Sequence, residues 1–156
     1  MKIISQNKKA FYDYDILERI EAGIVLKGDE VKSLRAGHVS MIGSFATVHN
    51  NEINLINLNI TPYSHAYNKN QSKGKSDELA RRTRKLLLHR REINRLIGDI
   101  SCKGITLIPL KLYFNPKSKV KIELGIAKHK KAYSKKELIK ERDIAKQTQR
   151  DLKNLI

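Results

Sequence analysis

The sequence predicts an α+β domain: short antiparallel strands with interspersed helices, followed by a basic tail. Three observations carry that reading. From Lys119 to Ala127, Val120, Ile122, Leu124 and Ile126 alternate with Lys119, Lys121, Glu123 and Gly125, the period of a strand with one wet face. Ile93, Leu96, Ile97 and Ile100 recur at i, i+3, i+4 and i+7, the period of a helix with one buried face. After Ala127 the pattern stops, and residues 128–156 carry ten basic and four acidic side chains, a net of +6, without Gly or Pro.

The elements follow in order. Asp15-Ile16-Leu17-Glu18 spells an N-cap acid with Glu three residues on, and Ile16, Leu17 and Ile20 form an apolar stripe before Gly23, so a short helix is expected over 14–22. Ile24-Val25-Leu26 is a β-branched run read as a strand, and Asp29 to Gly37 reads as a second short helix with Val31 and Leu34 on one face. Ile42 to Val48 and Ile53 to Ile60 flank His49-Asn50-Asn51-Glu52, a turn in which paired Asn tolerates positive φ, so the two runs should be antiparallel neighbours. The apolar phase changes at Leu55-Ile56, which a bulge absorbs, and Pro62-Tyr63 marks an exit.

Residues 64–79 are polar and aperiodic, the pattern of a long mobile loop. Leu86-Leu87-Leu88 is expected to enter the core, and the 3.6-residue stripe places a helix over 89–102, ended by Gly104. Ile105–Phe114 and Lys119–Ala127 form the last strand pair, with Pro109 marking an edge or bulge because it cannot donate to a ladder. A small closed antiparallel barrel of the OB type, with about three short helices, is the leading architecture for residues 1–127.

The tail, 128–156, has a capping-box spelling at Ser134-Lys135-Lys136-Glu137 and a thin stripe of Leu138, Ala145 and Leu152 at seven-residue spacing. Like-charge pairs (Glu137 with Glu141, Lys136 with Lys140) oppose the helix. Such a tail is expected to be largely disordered free and helical on a partner.

Thirty-two Lys and Arg against sixteen Asp and Glu give a formal charge of +16 on 156 residues. A compact chain tolerates that self-repulsion when a polyanion neutralises it. RNA, DNA and anionic membrane are the candidates; the tail stripe is too narrow and too poor in aromatics for a membrane. The N-terminus lacks a signal peptide's apolar stretch and no run approaches a membrane span, so a soluble, cytoplasmic protein is expected. A monomer is the expected state. Cys102 is alone and reads as a small buried apolar residue, and the five His are scattered without metal-site spacing. No Gly-rich phosphate loop, HExxH, CxxC or GxSxG occurs, so no cofactor or metal is expected. Glu30-Val31-Lys32 has the E-x-K spelling of metal-dependent nucleases, and equally that of an acid and a base exposed on a short helix.

Arg81-Arg82-Thr83-Arg84-Lys85, joined to Arg90, Arg91 and Arg95, supplies repeated guanidiniums suited to bidentate phosphate contact. There is no Trp, and several of Phe11, Tyr12, Tyr14, Tyr63, Tyr113 and Phe114 are expected in the core, so base stacking has little support from the sequence.

Short motifs then run in one order: Asn7-Lys8-Lys9-Ala10 with Asp13-Tyr14, Glu21-Ala22-Gly23-Ile24, Glu30 to Gly37, Pro62-Tyr63, Arg84 to His89 with Glu92-Ile93, and Lys128-His129-Lys130-Lys131. Together they resemble the SsrA-binding protein (SmpB) family over nearly the whole chain. The resemblance implies an OB-like barrel that binds the tRNA-like domain of transfer-messenger RNA and enters stalled ribosomes. There the tail occupies the empty mRNA path near the decoding centre, and the nascent peptide is tagged without covalent catalysis by the protein. It implies an RNA-facing set of Asn7, Glu21, Leu87 and Lys121, with Arg84, Lys85, Lys128, Lys130 and Lys131 as phosphate contacts. Tyr133, Ser134, Lys135, Lys136, Lys140 and Arg142 are the tail residues expected against the ribosome, Tyr133 by stacking on a ribosomal RNA base. Three positions depart from the family pattern: Ala80 stands for a Pro, His129 for a Gly, and Ser134-Lys135-Lys136 for Asp-Lys-Arg.

Overall fold

The computed structural model describes residues 1–63, 78–130 and 132–155, with the side chains of residues 102, 103 and 132–135 outside that description. The expected loop therefore lies almost wholly outside the described residues, as does the environment of Cys102. Nine strands are described: β1 (Lys2–Gln6), β2 (Tyr14–Ile24), β3 (Val39–Ser40), β4 (Phe45–His49), β5 (Glu52–Ile56), β6 (Asn59–Ile60), β7 (Arg84–Leu87), β8 (Thr106–Phe114) and β9 (Val120–His129). The main helices are α1 (Lys8–Asp13), α2 (Gly28–Arg35), α3 (Arg90–Lys103) and α4 (Ala132–Asn154).

The strands run β8-β4-β5-β7-β2-β9, and β9 returns to pair with β8, so the sheet closes into a ring. Every pairing described is antiparallel; β1 adds beside β8, and β3 with β6 makes a separate two-stranded piece. Closure gives each ring strand one face toward the core; the other face meets solvent except around β8, where Ile108, Leu110 and Ala127 pack with Ala10 of α1 in a second, smaller apolar cluster. Fully buried Ile53, Leu55, Leu58, Leu86, Leu96, Leu112, Ile122 and Leu124 fill the interior.

The helix expected over 14–22 is instead the eleven-residue strand β2, whose burial alternates along its whole length. Ile16 and Ile20 are four apart, a spacing that satisfies both periods. The decisive residues are Leu17, which is 56% exposed, and Ala22 and Ile24, which are buried in phase with Ile20. Ile24 is thus the end of β2 rather than the start of a strand over 24–26, although Val25 still donates its N–H to the Lys85 carbonyl at 3.0 Å.

The hairpin of β4 and β5 turns through Asn50 and Asn51 at φ 50° and 58°, as paired Asn should. It begins at Phe45 rather than Ile42, because Met41 to Ser44 form a turn with Gly43 at φ 75°. The phase change after Leu55 is a strand break at Asn57, φ 61°, which returns Leu58 and Ile60 to the core. Pro109 does mark a bulge: the β8–β9 register slips between Pro109 and Lys111. Of the three leucines at 86–88, only Leu86 is fully enclosed, because β7 is an alternating strand.

Helix α1, which the sequence reading does not place, is fixed by Asn7. Its Oδ1 accepts from the Ala10 N–H at 3.2 Å, its Nδ2 donates to the Pro109 carbonyl at 3.0 Å, and its backbone N–H donates to the Leu110 carbonyl at 2.8 Å. Carbonyls turned out of register by the bulge are thereby satisfied. Helix α4 follows the end of β9, and from Ile139 to Asn154 all its residues are exposed.

Candidate nucleic-acid interface

In the basic block at 81–95, Arg82, Arg84, Lys85 and Arg95 are paired with acids of the same chain. Glu30, on the first turn of α2, accepts from Arg82 Nε and Nη2 at 2.7 Å each and from Arg84 Nε and Nη2 at 3.1 and 2.9 Å. It also accepts from the Lys27 N–H at 2.9 Å, which caps α2. Burial pushes the Glu30 carboxyl up, but the hydrogen bonds from Arg82, Lys27 and Arg84 and the charge of Arg84 outweigh it and hold the group below its ordinary value. Arg84 is 0% exposed, with Nη1 donating to the Leu58 and Arg82 carbonyls and Nη2 to the Ala80 carbonyl. Burial lowers its pKa and Glu30 restores part of the loss.

Two expectations are corrected by this cluster. Arg84 has its guanidinium turned inward, so it braces the fold and is not placed to meet phosphate. Glu30 is neither the exposed acid of a short helix nor open to a metal, since arginine donors occupy both its oxygens; among the described residues no acid, His or Cys group has a metal-binding arrangement. Elsewhere in the block, Lys85 pairs with Glu52 at 2.5 Å, Arg95 pairs with Glu18, and Arg90 donates to the Asn51 carbonyl at 3.2 Å. Arg81 and Arg91 stay exposed.

The outer face of β7, β2, β9 and β8 is different. Register aligns Leu87, Gly23, Lys121 and Tyr113 in one cross-strand row, and Glu21, Glu123 and Lys111 in the next. Glu21, Leu87 and Lys121 therefore come together on one surface although they are far apart in sequence. Strand spacing puts Leu87 and Lys121 about 10 Å apart on either side of Gly23, with Glu21 about 7 Å along β2. Gly23 lets the row lie low: a Cβ there would stand 3.2 Å from Leu87 Cβ. Leu87 is 53% exposed, an apolar side chain offered to a partner.

Glu21 and Glu123 face each other across β2 and β9, a like-charge pair that needs neutralising. Tyr113 donates its hydroxyl to Glu21, while Arg19 and Lys111 reach Glu123 at 3.5 and 3.6 Å. Burial, the bond to Glu21 and the nearby negative charges push the Tyr113 phenol above its ordinary range, so it remains a donor at neutral pH. Tyr113 is one of six aromatics of which several are expected in the core, and it is buried; its register opposite Lys121 is the signal that links it to this face. Gly23 enters the sequence reading as a helix stop and within the motif Glu21-Ala22-Gly23-Ile24, neither of which shows its place between Leu87 and Lys121.

The remaining expected residues lie elsewhere. Asn7 is buried and used for capping, so its amide is held inside. Lys128 is exposed at the far end of β9, and Lys130 docks on α1, its N–H bonding the Asp13 carbonyl at 2.9 Å and its Nζ the Phe11 carbonyl at 3.1 Å. His129 packs edge-on to Tyr14 with centroids 4.9 Å apart. Ala80 is buried and supplies a carbonyl to Arg84. On α4, Lys136, Lys140 and Arg142 are exposed, Arg142 lying 5.7 Å from the Tyr12 ring centroid. Lys131 and the side chains of Tyr133, Ser134 and Lys135 lie outside the described residues.

A closed antiparallel ring with a mixed polar and apolar outer face, free surface lysines and a basic helical extension defines a small β-sheet protein of the polyanion-binding class. The family model described as SmpB protein matches residues 4–154. The chain is 54% identical over 142 residues to an SsrA-binding protein of Rickettsia bellii (strain OSU 85-389), covering 91% of this chain and 89% of that protein. It is 49% identical to the SsrA-binding protein of Carboxydothermus hydrogenoformans, covering 97% of each. A solved structure described as "tmRNA-SmpB: a journey to the center of the bacterial ribosome" is similar at a TM-score of 0.64 and 50% identity, over 82% of this chain and 85% of that one. The chain belongs to the SmpB protein family.

Proposed function

We propose that this chain is a non-catalytic RNA-binding adaptor of trans-translation. It binds the tRNA-like domain of transfer-messenger RNA through the outer face of its strand ring, read as an OB-like barrel, and delivers that RNA to stalled ribosomes. The nascent peptide is then tagged and the ribosome released. The observation that carries the reading is the convergence of Glu21, Leu87 and Lys121 on adjacent cross-strand rows. Lys121 supplies charge to phosphate, Leu87 an apolar surface for a base or ribose, and Glu21 an acceptor for base or ribose donors. Lys85, Lys128, Lys130 and Lys131 add phosphate contacts.

The basic extension expected from residue 128 is the second binding unit. Its first two residues, Lys128 and His129, complete β9, and the part that follows Lys130 is disordered when free and helical against ribosomal RNA in the empty mRNA path. The exposure of α4 along nearly its whole length supports this, since a helix with so little packing is marginal alone. Family membership supports the pairing of partners. The test is binding of the full chain to a tRNA-like RNA across salt, with tagging on stalled ribosomes as the second readout. Affinity should fall steeply with salt, and removal of residues 132–156 should spare RNA affinity while abolishing tagging. A flat salt dependence refutes the RNA reading, and loss of RNA affinity on truncation refutes the division into body and tail.

A further inference from the structure

We propose that Phe11 and Arg19 form a stacking platform for an unpaired base of the bound RNA, extending the Glu21, Leu87 and Lys121 face toward α1. This rests on the RNA-binding reading above. Phe11 stands on α1 and is 42% exposed. The Arg19 guanidinium lies over its ring, 5.4 Å from the centroid, and Nη1 reaches Glu123 Oε1 at 3.5 Å. Glu123 is in turn held by Lys111.

Arg19 thus lies between a carboxylate and an aromatic ring, while its side chain remains 55% exposed. A guanidinium is planar, and one placed this way keeps more than half of its side chain accessible to a partner. Unpaired RNA bases stack on aromatic rings and on Arg planes, and the neighbouring phosphate satisfies the cation. On a chain of charge +16, an exposed ring joined to an oriented cation fits that partner, which brings a flat aromatic face together with negative charge. A neutral or basic protein surface supplies no such match.

Continuity sets the position. Arg19, Glu21 and Gly23 occupy alternate outward positions of β2, so the platform lies one step of about 7 Å beyond Glu21 and two steps from the row of Leu87 and Lys121. Leu17, 56% exposed, continues the apolar ledge one step further. A base splayed from an RNA lying on the Glu21 row reaches Phe11 without a change in the fold.

The experiment uses the full chain and a synthetic tRNA-like RNA, with affinity measured across a range of salt. Phe11→Leu keeps the apolar volume and removes the ring; it should weaken binding roughly fivefold or more, the range of base stacking, with the salt slope unchanged. Phe11→Tyr should restore wild-type affinity, and the melting temperatures of both variants should match the wild type. Phe11→Leu binding as tightly as wild type, or Phe11→Tyr binding as weakly as Phe11→Leu, overturns the platform while leaving the RNA reading intact. A wild-type chain that does not bind the RNA overturns both.

Discussion

Replacing Glu30 by Ala should cost this protein more stability than loss of any other single carboxylate. The substitution strands Arg84, whose side chain is fully buried, and removes the acceptor for Arg84 Nε, for one bond of Nη2 and for the Lys27 N–H. Breaking a buried pair by removing one partner costs about 3–5 kcal/mol. Here the Leu58, Ala80 and Arg82 carbonyls still hold Nη1 and Nη2, which points to the low end, while loss of the α2 cap adds about 1 kcal/mol. A net loss of about 4 kcal/mol is a large share of a typical domain's 5–15 kcal/mol. Urea denaturation at neutral pH measures it, and Glu30→Gln, which keeps one acceptor oxygen, should lose about half as much. The Glu30 carboxyl is held below its ordinary 4.5, so its stabilisation is fully present above that pH and drains away as pH falls through the lowered value. The gap between wild type and Glu30→Gln should therefore close in acid. The double variant Glu30→Ala with Arg84→Met should be less damaging than the sum of the two, because the fully buried cation is removed with its partner and only the more exposed Arg82 loses its carboxylate. A loss under about 1 kcal/mol for Glu30→Ala, against the range expected for a buried pair, would refute the clamp.

Three further outcomes follow from the geometry. Asn7→Ala removes a helix cap and leaves the Pro109 carbonyl without its amide donor, so thermal unfolding should report a loss of about 2 kcal/mol. Gly125→Ala drives a methyl to 2.9 Å from Leu110 Cδ1 and should cost about 1–3 kcal/mol in chemical denaturation, with the companion Leu110→Ala change relieving part of it. Lys121→Gln, tested by RNA binding across salt, should weaken affinity and reduce the log-log salt slope by about 1; an unchanged slope would remove Lys121 from the phosphate-contact set.

The sequence was most readable where one face of an element meets water and the other does not. Strand β9 and helix α3 carry unbroken periods of two and 3.6, and both lie where that pattern puts them. Strand β2 carries a mixed signal. Ile16 and Ile20 fit a helix as well as a strand, and Glu18 interrupts the inward row where a core residue is expected; its partner Arg95 is 77 residues away and invisible to a local window. The same reason hides the fate of Arg84, which looks like one more cation in a solvated run until Glu30, 54 residues earlier, folds over it. Glu21, Leu87 and Lys121 came from motif resemblance, and only register explains why they belong together. Phe11 ran the other way, since an aromatic in a small domain is ordinarily core and composition alone gives no reason for exposure.

The pairing of β2 with β9 also has a consequence for how the protein is made. Tyr14 pairs with His129 and Gly23 with Lys121, so the first long strand waits for the last one before its edge is covered. Such remote pairing slows folding and leaves an open edge on the growing chain. Synthesis interrupted at any codon before β9 yields a fragment that cannot close its ring and remains exposed to proteolysis. Only copies extended through β9 acquire the RNA-facing rows, so a fragment that stops short of it lacks the RNA-binding face.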